Sequence, residues 1–162
     1  LNLYAYCANN PVMYYDPSGY VWLCELGKNE STYLTEEECK SMIMFQDDML
    51  HPKTITPDNP LGIYTIRATG SYQDDKIIIA QLAKLDDYEL ALWRAHHIEY
   101  NIDTNQMRMQ FADPDYHLKS HFGGAGQFNR LTGFTYGTKE AMEYCKLRNI
   151  EYLIQLIQNS KR

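Results

Sequence analysis

Apolar and polar residues alternate along residues 98–111, and this period of two is the strongest constraint on the fold. The apolar positions of the two runs are Ile98, Tyr100 and Ile102, then Met107, Met109 and Phe111. Thr104 and Asn105 lie between the runs and suit a turn. Because successive strand residues point to opposite faces, the pattern predicts an antiparallel hairpin with one apolar face. It also predicts that His97 shares the polar face with Glu99, and that His96 points the other way.

Helical patterns dominate the sequence before this hairpin. We predict helices over about 36–50, 74–84 and 87–95, the first opened by Thr35 with Glu38 and the last by Asp86 with Glu89. A proline-rich loop covers 51–62, and a short strand covers 63–67. After the hairpin we predict a helix over 141–148, capped by Thr138, and a strand-like segment over 151–157. The expected fold class is α+β, with a helical N-terminal half.

Length and composition favour one compact unit. A chain of 162 residues that is 44 % hydrophobic can bury one core and carry a short appendage. The sequence has no apolar run of about 18 or more residues and no basic stretch leading into an apolar one, so we expect neither a membrane span nor a signal peptide in this fragment. Its four cysteines lack C-x-x-C spacing, which favours buried thiols or one incidental disulfide over a thiolate zinc site: Cys7, Cys24, Cys39 and Cys145.

The net charge of −6 argues against a polyanionic partner, since phosphate binding draws its affinity largely from Lys and Arg. The acidic residues, however, are concentrated before residue 90, whereas basic residues outnumber acidic ones from Arg94 onward. The objection to nucleic acid therefore applies weakly to the second half of the chain.

Four of the five histidines fall in that second half: His96, His97, His117 and His121. Three imidazoles suffice to hold one divalent cation, and a fourth can activate water. If 116–122 is a helical turn, His117 and His121 lie at i and i+4 on one face and can close on a single ion. His51, alone in the proline-rich loop, is interpreted as structural.

The first residues resemble the closing motif of the RHS or YD-repeat core. The match covers residues 2–19 and includes Leu3-Tyr4-Ala5-Tyr6, Asn9-Asn10-Pro11 and Asp16-Pro17-Ser18-Gly19. In that family the motif ends a large secreted shell, and a toxin domain follows it. The resemblance implies that residues 1–19 are the tail of such a shell and that 20–162 are a toxin. It also implies delivery at the cell surface or by secretion, action in the cytoplasm of a target cell, and a cognate immunity protein as a partner.

Residues 93–124, WRAHHIEYNIDTNQMRMQFADPDYHLKSHFGG, resemble the HNH and endonuclease VII superfamily, and the histidine doublet and H-x3-H pair also match DNase colicins. The resemblance implies a ββα-metal (His-Me finger) core and metal-dependent cleavage of DNA. Carried over to this sequence, it makes His97 the general base and assigns Zn²⁺, Ni²⁺, Mg²⁺ or Mn²⁺ to three ligands: His96, His117 and His121. The group that orients His97 stays open, with Glu99, Arg108, Gln110 and Asn105 considered.

Positive side chains near the motif are the expected contacts of the phosphate backbone. Arg108 or Arg94 suits a bidentate contact with a phosphate oxygen. We assign Arg108 and Glu99 to the catalytic group beside His97, and the other basic residues to DNA binding: Arg94, Lys119 and Arg130.

Three other functions remain open at this point. Tyr64-Thr65-Ile66-Arg67 could be the entry strand of an ADP-ribosyltransferase toxin, although no downstream E-x-E pair supports it. A metal-independent RNase would use His97 and His117 as base and acid. A structural zinc module would use the histidines without catalysis.

Overall fold

A computed structural model describes Phe45, residues 47–117 and residues 123–162. These parts of the chain form four α-helices and a three-stranded antiparallel sheet, so the protein is of mixed α and β class. Short 3₁₀ helices, Asp47–Met49 and Pro52–Thr54, precede the sheet. The main elements are β1 (Tyr64–Arg67), α1 (Tyr72–Ala83), α2 (Asp87–Leu92), β2 (Arg94–Asn101), β3 (Gln106–Ala112), α3 (Gly124–Thr132) and α4 (Lys139–Ser160).

The sheet confirms the predicted hairpin. Its strand order is β1-β3-β2, and β3 pairs antiparallel with both neighbours. The turn between β2 and β3 ends at Asn105, which adopts the left-handed conformation with φ of 53°. Its buried amide accepts a hydrogen bond from the Tyr100 hydroxyl at 2.7 Å and donates to the Ala68 carbonyl. The turn residue is therefore fixed by tertiary contacts as well as by its own preference for this conformation.

A β-bulge in β2 changes which side chains share a face. The register shifts between His97, which pairs with Met109, and Glu99, which pairs with Arg108. An extra residue in one strand shifts the alternation beyond it by one position. The parity prediction was therefore wrong: Glu99 shares its face with His96, not with His97.

The core lies on the face of the sheet that carries the alternating apolar residues. Tyr100 and Phe128 pack edge to face with ring centroids 4.9 Å apart, and Phe128 packs in the same way on Tyr136. Each fully buried side chain of this size stabilises the fold by about 1.5–3 kcal/mol relative to exposure. The core side chains that are fully buried include Ile79, Tyr100, Met107, Met109, Phe111, Phe128 and Cys145.

Helix α3 covers part of the edge strand β2. The Gln127 side chain accepts from the Tyr100 backbone N–H at 2.8 Å and donates to the Ile98 carbonyl at 3.3 Å. Gly124 lets the helix approach closely, since a Cβ there would lie 3.2 Å from the Glu99 nitrogen. Backbone groups beside the bulge thereby find partners, although β3 is the only strand beside β2 in the part of the chain that the structure describes.

The helix predictions hold for α1 and for the start of α2, and they fail in part after the hairpin. Helix α1 matches its prediction, and Asp86 with Glu89 forms a complete capping box at α2. Helix α2 ends at Leu92, before the predicted end at 95, because β2 begins at Arg94. The predicted strand over 151–157 was wrong, since α4 continues to Ser160. Thr138 caps α4 as predicted, and the apolar residues beyond 148 also fit helical spacing.

Several predictions fall on residues outside the described part of the chain. These are the RHS-like segment 1–19, most of the helix over 36–50, and residues 118–122 of the helical turn predicted over 116–122, with Lys119 and His121 among them. The described end of the predicted helix is the 3₁₀ turn Asp47–Met49. Of the cysteines, Cys145 is described; it is a free, buried thiol. Among the described helices, none has the length and apolar character needed to cross a membrane.

Gly70 fixes how closely the loop before α1 approaches α4. Its φ is +82°, and a Cβ would lie 2.6 Å from the carbonyl carbon of Ala141. Replacing Gly70 by alanine should lower the free energy of unfolding by about 3 kcal/mol, because backbone strain adds to a clash with backbone atoms. Urea denaturation measures this loss. Gly133→Ala is the matched control, since Gly133 has a similar φ of +83° but open space around its Cβ position. An equal loss in both variants would contradict the clash.

Candidate functional site

The adjacent histidines of β2 point to opposite faces of the sheet. His96 pairs with Gln110 and His97 with Met109, and paired residues of antiparallel strands share a face. His96 is fully buried, and His97 is 7 % exposed. The doublet therefore contributes one imidazole to each side of a single edge strand.

On one side, His96 meets His117. The two ring centroids lie 5.4 Å apart in an edge-to-face arrangement, and Phe45 packs against His96 at 4.9 Å. Phe45 is held in turn by Gln110, whose amide accepts from its N–H at 3.0 Å. His117 follows the end of β3, where its backbone N–H donates to the Asp113 carbonyl. The turn after β3 thus places the His117 ring beside the His96 ring.

The spacing of His96 and His117 fits shared binding of one divalent cation. Two imidazoles that each coordinate an ion at about 2.0–2.1 Å place their ring centroids about 5 Å apart. The described residues contain no group of three or more metal-binding side chains. The predicted third ligand, His121, lies outside them. Two of the predicted ligands are thus adjacent, with their ring centroids close to the separation that a shared ion would give.

On the other side, His97 forms a buried pair with Asp75. The His97 Nε2 atom lies 2.9 Å from Asp75 Oδ2, and the carboxylate is fully buried. The same carboxylate accepts from the hydroxyl of Tyr136, from the Thr69 hydroxyl at 2.6 Å and from the Thr69 N–H at 3.1 Å. Asp75 lies in the first turn of α1, where the helix dipole favours a negative charge. The carboxylate is therefore stabilised by donors on all sides.

Aromatic rings surround this pair. Tyr72 and Tyr136 present ring contacts to His97 at centroid distances of 5.3 and 5.5 Å. Burial and the adjacent Asp75 raise the pKa of Tyr136 far above its ordinary value, so Tyr136 remains a neutral donor at every physiological pH. Tyr72 is half exposed and lies between His97 and solvent on one side.

Glu99 and Arg108 face each other on the His96 side of the sheet. The Arg108 Nε atom lies 3.8 Å from Glu99 Oε1, and the Glu99 side chain is 13 % exposed. Burial raises the pKa of Glu99 to about 6, and the Arg108 charge opposes this rise. Glu99 does not contact His97, because the bulge places it on the opposite face. Asp75, not Glu99, is the carboxylate beside His97.

The raised pKa of Glu99 predicts a stability that depends on pH. The folded protein holds this proton more tightly than the unfolded chain, so the associated stability is complete below pH 4.5 and declines as pH rises to about 6. The decline should reach about 2 kcal/mol, and Glu99→Gln should lack this component. Urea denaturation at several pH values measures it. Glu143→Gln, at an exposed glutamate of α4, is the control; an unchanged slope in Glu99→Gln would contradict the assignment.

The remaining predicted residues are exposed or lie outside the described residues. Arg94 is exposed at the first position of β2, and Arg130 is exposed in the last turn of α3. Lys119 lies outside the described part of the chain. Their assignment to DNA binding stays a prediction.

His51 occupies a structural position, as its sequence context suggested. Its Nδ1 accepts from the Lys53 N–H at 3.1 Å, and its Nε2 lies 3.0 Å from Glu89. Its ring packs against Trp93 at 4.6 Å. These contacts join the proline-rich loop to α2.

Sequence reasoning missed Asp75 and Tyr136 as parts of the site, and it considered Gln110 as a group that orients His97, whereas Gln110 lies on the face of His96. Asp75 looks like an ordinary acidic residue of a helix N-terminus, and 22 positions separate it from His97. Tyr136 lies in a loop with no motif around it. Their polar groups are brought to the histidines by packing alone, which no local pattern records.

Comparisons with protein-family models, with curated proteins and with solved structures found no match to this chain. The function is therefore inferred from the residues and their geometry.

Proposed function

We propose that this chain is a metal-dependent endonuclease that hydrolyses phosphodiester bonds of DNA. His96, His117 and His121 bind one divalent cation, and His97 takes a proton from the attacking water. The observation that carries the proposal is the pairing of His96 and His117, whose ring centroids lie 5.4 Å apart although the whole of β3 separates them in sequence. The geometry supports two of the ligands that the HNH-like motif implies.

The position of β2 at the edge of the sheet supports a role for both members of the doublet. Because β2 pairs with β3 alone among the described strands, a ligand at its other edge, before the bulge, can meet side chains from both faces. His96 supplies a nitrogen ligand from one face, and His97 a base from the other. The cation, when bound, polarises the scissile phosphate and stabilises the departing oxygen.

The chain's own residues define the remaining roles. Neutral His97 accepts a proton from water near physiological pH, where an imidazole is suited to this task. Arg108, on the face of His96, can hold a phosphate oxygen, and Glu99 limits its movement through their ion pair. Arg94 and Arg130, with Lys119, extend the contact along the DNA backbone.

Two alternatives are less well supported. In an ADP-ribosyltransferase, Arg67 would bind the dinucleotide, but its guanidinium donates to Asn149 and to the Thr104 carbonyl and stacks 3.6 Å above the Tyr152 ring. In a metal-independent RNase, His97 and His117 would act as base and acid, but the contact of His117 with His96 is better suited to a shared cation. A structural metal module remains a distinct outcome of the test below.

The biological role as a toxin belongs to the same proposal. It rests on the RHS-like sequence of residues 2–19, which implies delivery with a larger secreted shell and neutralisation by an immunity protein. An acidic inhibitor would suit a site built from basic side chains and a cation.

Nicking of supercoiled plasmid tests the proposal. The purified chain is incubated with EDTA, Mg²⁺, Mn²⁺, Ni²⁺ or Zn²⁺, and nicked and linear products are quantified. Cleavage that requires a cation supports the nuclease. Metal binding without cleavage of DNA or RNA indicates a structural module, and cleavage of tRNA in EDTA indicates the RNase; either result overturns the proposal.

A further inference from the structure

The Asp75 carboxylate has polar contacts with Thr69 and Tyr136 in addition to its contact with His97. An ionised carboxylate offers about four lone-pair positions. Thr69 occupies two of them through its N–H and hydroxyl, and Tyr136 and His97 occupy the other two. Since every acceptor position faces a neighbouring polar group, the carboxylate is held in a single orientation.

The hydroxyl partners of Asp75 are themselves oriented by backbone groups. The Tyr136 oxygen accepts from the Gly70 N–H at 3.1 Å, and the Thr69 oxygen accepts from the Ser71 N–H at 3.1 Å. The single hydrogen of the Tyr136 hydroxyl is thereby directed to Asp75, whereas the Thr69 hydroxyl lies within donating distance of Asp75, at 2.6 Å, and of the Ser71 carbonyl, at 3.1 Å. The network therefore consists of donors that converge on an acceptor, with His97 as the last of them.

From this geometry we infer that Asp75 is the positioning residue for His97 and holds it as the tautomer with the proton on Nε2. A carboxylate that accepts hydrogen bonds from every other partner requires a donor from His97 as well. The lone pair of neutral His97 is then on Nδ1. If the chain is the proposed nuclease, Nδ1 is the atom that accepts the proton from water; this role of Nδ1 rests on the proposed function.

The contacts of Asp75 indicate that it positions His97 and is more than a salt bridge that stabilises the fold. Asp75 contacts His97 through one oxygen, whereas the Thr69 loop is tied to the other. Its removal should change the ring orientation and tautomer of His97 without moving the His96 and His117 side chains, which lie on the opposite face. A variant without the Asp75 carboxylate should therefore bind metal as the wild type does but lose the orientation of His97.

The ring nitrogen chemical shifts of His97 test the inference without any need for activity. We would label the full chain with ¹⁵N histidine, assign His97 by comparison with His97→Gln, and record spectra at a pH where the ring is neutral. The wild type should show a proton on Nε2. Asp75→Asn should populate both tautomers, because an amide can donate or accept. Asp74→Asn is the matched control in the same helical turn, and its spectrum should equal that of the wild type.

Kinetics add a second measurement. Asp75→Asn should lower kcat for DNA cleavage by about 10- to 100-fold with KM and metal affinity unchanged, as expected when a reacting group loses its orientation. A wild-type proton on Nδ1, or an Asp75→Asn spectrum equal to that of the wild type, would overturn the inference. So would a lost tautomer preference with unchanged kcat. If Asp75→Asn fails to fold, the wild-type spectrum still tests the tautomer. A proton on Nε2 of His97 in a protein that does not cleave DNA would refute the nuclease but not the contact between Asp75 and His97.

Discussion

Replacing His97 by glutamine should reduce metal-dependent cleavage of plasmid DNA by about 10²- to 10⁴-fold, the usual contribution of a general base. Glutamine removes the basic ring nitrogen but keeps a side-chain N–H that can donate to Asp75. The variant should therefore keep the buried hydrogen bond that His97 makes at 2.9 Å. Single-turnover nicking assays at saturating metal measure the chemical step itself.

The controls separate loss of the base from loss of the fold. Circular dichroism and the thermal midpoint should show that His97→Gln is folded, and calorimetry should show that its affinity for Ni²⁺ or Zn²⁺ stays near that of the wild type. His51→Asn serves as the matched histidine variant, because His51 binds Lys53 and Glu89 away from the doublet. It should retain cleavage. Activity of His97→Gln within about tenfold of the wild type would exclude His97 as the base.

Replacing His117 by alanine should remove most of the thermal stabilisation that a bound cation provides. A ligand at about 100 times its dissociation constant stabilises the folded state by about 2.7 kcal/mol. For a chain of this size that corresponds to a rise of about 5–10 °C in the thermal midpoint. Two imidazoles, those of His96 and His121, hold an ion more weakly than three, so the rise should largely vanish in His117→Ala, and cleavage with it.

Differential scanning fluorimetry with and without Zn²⁺ or Ni²⁺ measures the rise directly. His51→Asn should start from a lower midpoint, because a buried contact is lost, yet show the same rise on metal addition. A full metal-induced rise in His117→Ala would mean that the ion binds elsewhere. That result would overturn the assignment of the His96 and His117 pair, whatever the cleavage assay shows.

The sequence predicts the framework of this site better than its interior. The alternation over 98–111 predicts the hairpin because neighbouring residues of a strand face opposite sides of the sheet, one side apolar and the other polar. Asp86 and Glu89 likewise define the start of α2 by local hydrogen bonds. Both patterns act over a few residues, so a single sequence records them.

Three features depend on distant contacts, and the sequence alone does not reveal them. The bulge between His97 and Glu99 forms where Gln127 binds the backbone of β2, and it reverses the face of every later residue. The contact of Asp75 with His97 joins a helix to a strand through packing. Beyond residue 148, the same β-branched residues suit a strand or a helix, and α4 continues to Ser160 through a sequence that contains no Gly or Pro.

The amide of Gln127 has a consequence for how this molecule meets its own copies. An open sheet edge is a template on which a second chain can add a strand. By satisfying the Tyr100 N–H and the Ile98 carbonyl from within the same chain, Gln127 occupies the positions that an incoming strand would use. Gln127 thus blocks the addition of a strand to β2 at the bulge.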